Sequence, residues 1–94
     1  MRLSVKERTA LVHAIKDFDP QARIYLFGSR IDDTEKGGDI DILVFSQKLT
    51  FEDKLNIKAK LFEMIDEQKI DLLIARDTSD PFVQMAFEKS LELK

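Results

Sequence analysis

The chain has 94 residues, 44% hydrophobic and 35% charged, with 3 Gly and 2 Pro. That fits one folded domain spanning 1–94 and excludes a disordered, collagenous or coiled-coil chain. A net charge of -3 speaks against tight, sequence-independent binding of DNA or RNA, which needs a basic face, so no stable nucleic-acid complex is expected. With no cysteine and one histidine, disulfides, thiolate metal sites and His-rich zinc sites are excluded. Any metal would have to be held by carboxylate oxygens, which suit Mg²⁺, Mn²⁺ or Ca²⁺.

In chain order, Ser4-Val5-Lys6-Glu7 fits a capping box, and Leu11, Val12, Ile15 and Phe18 recur at helical spacing, which predicts a helix over 4–18 closed by Asp19-Pro20. Arg23-Ile24-Tyr25-Leu26-Phe27 reads as a strand stopped by Gly28-Ser29. Residues 30–38 are polar, end in Gly37-Gly38 and read as a loop. Ile40-Asp41-Ile42-Leu43-Val44-Phe45 is the second strand. Thr50-Phe51-Glu52-Asp53 opens a helix over 50–67 whose apolar face is read as Leu55, Ala59, Phe62 and Ile65, with Leu61 beside it. Ile70-Asp71-Leu72-Leu73-Ile74-Ala75 is the third strand. Asp80-Pro81 starts a last helix over 81–91. Phe51, Phe62, Phe82 and Phe87 are expected in the core, Tyr25 in strand packing, and Lys54, Lys58 and Lys60 on a solvated helix face. His13 is read as a surface residue.

The order α-β-β-α-β-α defines an α+β (α/β two-layer) fold, with a mixed sheet of three or four strands flanked by helices. The helix between the second and third strands is long enough for a crossover, so those strands should run parallel. The 30–38 loop lets the first two run antiparallel. The starts of the second and third strands and the end of the first then meet at one edge of the sheet. Asp39 and Asp41, two apart on a strand, point to one side about 7 Å apart, and Asp71 can approach them. Each feature alone also suits an ordinary turn or strand end. Together they set three mutually repelling carboxylates where a divalent cation relieves the conflict and keeps positions for substrate phosphates. Gly28 permits close backbone approach, Ser29 offers a hydroxyl and an N–H, and Arg30 a fork of donors to phosphate oxygens.

Leu26-Phe27-Gly28-Ser29-Arg30 followed by Gly38-Asp39-Ile40-Asp41-Ile42-Leu43-Val44 resembles the G-S-x(9–10)-D-x-D signature of the polymerase-β-like nucleotidyltransferase superfamily, and the short length its minimal nucleotidyltransferase (MNT, MntA-like antitoxin) branch. Lys69-Ile70-Asp71-Leu72-Leu73 matches that family's third-carboxylate strand. The resemblance implies a transferase with Asp39, Asp41 and Asp71 as catalytic, metal-binding residues and Gly28, Ser29 and Arg30 binding the nucleotide. Asp71 would hold a second metal or take the acceptor's proton. It further implies one or two Mg²⁺ (or Mn²⁺) and transfer of a nucleoside monophosphate, AMP from ATP, to an acceptor hydroxyl. The acceptor would sit on a HEPN or substrate-binding helical-bundle protein, in a toxin–antitoxin-like hetero-oligomer, with a homodimer as another arrangement. Where relatives often carry a further basic residue and Gly, this chain has Ile31-Asp32-Asp33-Thr34-Glu35, then Lys36. That acidic run favours the alternative function, a binding module that neutralises or scaffolds a helical partner by contact. No segment reaches the ~18 apolar residues of a membrane span. The opening residues lack the apolar run of a secretory signal, so no membrane association and a cytoplasmic location are expected.

Overall fold

The computed structural model describes residues 4–28, 40–64 and 70–94. Within them the elements run α1 (Val5–Phe18), β1 (Arg23–Phe27), β2 (Ile40–Phe45), α2 (Phe51–Met64), β3 (Ile70–Ala75), α3 (Pro81–Glu88) and β4 (Leu91–Leu93). The helix starts are fixed locally. The Ser4 side chain accepts from the Glu7 N–H while Glu7 accepts from the Ser4 N–H, each at 3.0 Å, which satisfies two of the orphan donors at the start of α1. Thr50 and Asp53 make the same exchange ahead of α2. Asp80 accepts from the N–H groups of Phe82 and Val83, with Pro81 in the first turn of α3, where a missing N–H costs nothing.

The four strands form one mixed sheet in the order β3-β2-β1-β4. β1 is antiparallel to both β2 and β4, and β2 is parallel to β3 through the α2 crossover. Strand residues alternate between two apolar layers. Ile24, Leu26, Ile40, Ile42, Val44, Ile70 and Leu72 face α1 and α2, meeting Leu11, Ile15, Ile57 and Leu61. Tyr25 and Leu43 face the other way and meet Val83 and Ala86 of α3, with Phe27, Phe45 and Leu73 packed beside them. Leu11, Ile15, Ile42, Leu43 and Leu61 are fully buried, and truncating any one to Ala removes about 2–5 kcal/mol of stability.

Two expectations are corrected. The last helix stops at Glu88 rather than 91, and residues 91–93 form β4, which pairs Ile24 with Leu93 and Leu26 with Leu91. The element order is therefore α-β-β-α-β-α-β. The buried face of α2 is Ile57 and Leu61, not the Leu55–Ala59–Phe62 stripe, which points outward. Accordingly Phe51 and Phe62 are about 70% exposed, and Phe82 and Phe87 are also exposed, so all four phenylalanines expected in the core lie outside it. Phe87 packs edge-on against Tyr25 and Phe45 at 5.1 and 5.4 Å between ring centroids, although part of it stays exposed.

Candidate active site

The pairing register determines what meets at the edge of the sheet. Phe27, the last residue of β1, lies opposite Asp41, and Asp41 lies opposite Asp71 across the parallel β2–β3 ladder. Neighbouring strands are about 4.8 Å apart, so the two carboxylate-bearing residues stand side by side. Asp41 is two residues from Leu43 and Asp71 two from Leu73, both of the α3 layer, and residues two apart share a face, which puts the pair on the α3 face of the sheet. Asp41 is half-buried and Asp71 is exposed to solvent.

Gly28 follows β1 with a φ of 80°, a left-handed conformation that an L side chain resists. A Cβ there would lie 2.2 Å from Oδ2 of Asp41. The glycine backbone thus lies against the Asp41 carboxylate, and only hydrogen fits between them. Hard carboxylate oxygens from two strands, beside backbone that admits no side chain, match the donor set and close approach that a magnesium-bound triphosphate requires.

Asp41, Asp71 and Gly28 therefore come together as the sequence predicts. Ser29, Arg30, Asp39 and the acidic 31–35 run lie outside the described residues, as do Ile65 and the end of the predicted second helix. Among the described residues no group of three potential metal ligands assembles.

Sequence reading missed a polar node at the opposite end of the sheet. Asp19, buried after α1, accepts a hydrogen bond from Ser46 Oγ at 2.5 Å and another from the Gln21 N–H at 3.0 Å. The Ser46 hydroxyl donation is the main cause that holds the Asp19 carboxyl below its ordinary value of 3.8. Burial opposes it, and the Gln21 N–H and Lys48 charge add to the lowering. Asp19-Pro20 read only as a helix stop, since nothing local signals a partner 27 residues away.

A mixed sheet with this strand order, helices on both faces and paired aspartates at the β2–β3 edge defines a nucleotidyltransferase-type domain. The model of the family described as "Polymerase beta, Nucleotidyltransferase" matches residues 10–93. The chain belongs to that family and is a nucleotidyltransferase. No curated protein sequence matches it. Among solved structures it is similar to a chain of the tri-AMPylated Shewanella oneidensis HEPN toxin in complex with MNT antitoxin. The identity is 26% and the TM-score 0.71, over 94% of this chain and 69% of that one. It is also similar to a chain of a toxin–antitoxin structure with AMP-PNP, at 27% identity and TM-score 0.76, over 93% and 72% of the two chains. A mutant MntA–HpeT toxin–antitoxin shares the fold at 24% identity and TM-score 0.75, over 93% and 71%.

Proposed function

We propose that this chain transfers AMP from ATP to a hydroxyl on a helical HEPN-type partner protein and releases pyrophosphate. The observation that carries the reading is the in-register Asp41–Asp71 pair beside the positive-φ Gly28. The names of the similar structures support it, since one relative's HEPN toxin is AMPylated and another structure contains AMP-PNP. In this reading residues 1–94 act as one domain in the cytoplasm, in a hetero-oligomer with the partner.

Asp39, Asp41 and Asp71 would hold Mg²⁺, which supplies charge neutralisation for an in-line phosphoryl displacement. Gly28 lets backbone approach the triphosphate, while Ser29 and Arg30 donate to its oxygens and keep the α-phosphorus in line with the acceptor. The acceptor oxygen forms a bond to the α-phosphorus as the bridging oxygen towards the β-phosphorus departs with pyrophosphate. Asp71, on the far strand of the pair, takes the acceptor's proton or completes the cation site.

A second reading, neutralisation by contact alone, draws on the outward Phe51, Leu55 and Phe62 of α2. The deciding experiment mixes ATP labelled at the α-phosphate, Mg²⁺ and a co-expressed helical partner. Label on the partner that disappears with Asp71→Asn supports transfer. An unlabelled but neutralised partner supports contact alone.

A further inference from the structure

The opposite end of the sheet from the aspartate pair holds a cleft of about 630 Å³. Phe45, on its wall, lies four residues along β2 from Asp41, which is about 13 Å. The two sites therefore occupy opposite ends of the same strands. Three cations from three different elements converge on the cleft: Arg23 at the start of β1, Lys48 after β2 and Arg76 after β3. The carboxylate among the lining residues is Asp19, whose oxygens are engaged by Ser46 and Gln21. In a chain of net charge -3 this is a local inversion of sign.

Hydrogen bonds within the protein tie the walls together. Gln47 Nε2 donates to the Arg76 carbonyl at 2.8 Å, and Arg76 Nη1 donates back to the Gln47 carbonyl, clasping the exits of β2 and β3 together. A guanidinium has five N–H donors, so this clasp leaves others for a ligand. Ser46 Oγ donates to Asp19 and accepts from the N–H groups of Lys48 and Leu49 at 3.0 Å each, which sets the course of the loop carrying Lys48. Arg23 lies over the Tyr25 ring at 5.6 Å, within cation–π range, and 3.7 Å from Glu92. Half-buried Phe45, packed edge-on against Tyr25 and Phe87, adds an apolar wall.

We propose that this cleft binds a small phosphomonoester of mononucleotide size, its phosphate held by Arg23, Lys48 and Arg76. Two planar guanidinium forks and an ammonium suit a dianionic phosphate. The volume falls in the range of about 300–1,000 Å³ of small-molecule sites. A nucleic-acid strand would need a basic face that continues beyond the cleft, and the acidic chain argues against one. The proposal is independent of the transfer reaction.

The test is calorimetric titration of the full chain in chelator-containing buffer, which leaves the aspartate edge without a cation. The probes are AMP, ribose 5-phosphate, inorganic phosphate and adenosine. AMP should bind saturably, adenosine should not, and Lys48→Glu and Arg76→Gln should each weaken AMP at least about tenfold, a loss of about 1.4 kcal/mol. Asp71→Asn should leave this binding unchanged. Lys48→Glu alters an exposed side chain and keeps the test valid if Arg76→Gln misfolds. Ribose 5-phosphate binding as well as AMP identifies a sugar phosphate as ligand, and binding of AMP alone identifies a nucleotide. The proposal is overturned if no phosphorylated probe binds, if adenosine matches AMP, if Lys48→Glu has no effect, or if an RNA oligonucleotide binds the same residues more tightly than AMP.

Discussion

Asp19, which follows α1, and Asp41, at the start of β2, lie at opposite ends of the sheet, and their surroundings differ in kind. Asp19 is buried, and a serine hydroxyl and a backbone N–H donate to its oxygens. Asp41 stands beside another aspartate on the neighbouring strand, with a glycine backbone against its carboxylate. The first arrangement suits a charge that holds the fold together. The second places like charges next to each other, which costs stability unless a cation or proton intervenes. Within one small sheet, one aspartate is held at a buried turn by Ser46 and Gln21, and the other stands at a strand start beside a second carboxylate.

The sharpest way to break this contrast is to neutralise each end in turn. Asp41→Asn and Asp71→Asn should each reduce nucleotidyl transfer by about 10²-fold or more, while thermal unfolding in metal-free buffer stays at or above the wild-type midpoint. In calorimetry, Asp71→Ala should weaken ATP·Mg²⁺ less than Asp41→Ala does. Wild-type transfer rates in Asp71→Asn would remove Asp71 from the site.

Gly28→Ala comes next. Its φ of 80° and the overlap with Asp41 should cost about 1–3 kcal/mol in denaturant unfolding and displace the Asp41 carboxylate, so stability and transfer fall together. A variant with wild-type stability and rate would mean that backbone and carboxylate do not meet there.

Asp19→Ala should show the reverse of the Asp71 result. It leaves the buried Ser46 hydroxyl without its acceptor and should lower unfolding free energy by about 1–3 kcal/mol with transfer unchanged. The same node predicts a pH dependence. The folded-state pKa of Asp19 is depressed, so the unfolded chain takes up its proton first as pH falls. The Asp19 contribution is complete above its ordinary value of 3.8 and is lost as pH drops through the lower folded value. Below about pH 4 the stability gap between wild type and Asp19→Asn should therefore narrow, as equilibrium unfolding at stepped pH would reveal.

The smallest effect concerns Tyr25, whose buried hydroxyl has no hydrogen-bond partner among the described residues. Tyr25→Phe should be neutral or raise the unfolding midpoint, because it removes an unsatisfied group and keeps the ring contacts with Phe45 and Phe87. A clear loss of stability would mean that the hydroxyl has a partner after all.

The bounds of β1, β2 and β3 were legible because apolar, β-branched runs between turn residues have few other readings. The approach of Asp71 to Asp41 followed from a crossover long enough for parallel strands together with the place of both residues at strand starts. β4 was not legible, since three residues carry no periodicity and the Phe82–Met85–Ala86–Lys89 spacing runs on into them. The buried face of α2 was misread because two apolar stripes share that helix. The aromatic stripe is the larger, but the sheet meets Ile57 and Leu61. Asp19 with Ser46, like the Arg23, Lys48 and Arg76 cluster, depends on long-range pairing that no local pattern announces.

The pairing of β1 with β4 also bears on how the sheet is completed during synthesis. Ile24 finds Leu93 only after almost all of the intervening chain has left the ribosome, so until then β1 presents one open edge beside its finished ladder with β2. Contacts so distant in sequence form late and slow the final closure. During that interval the nascent chain offers another strand a place to pair, and Leu91–Leu93 cover that side of β1 once they emerge.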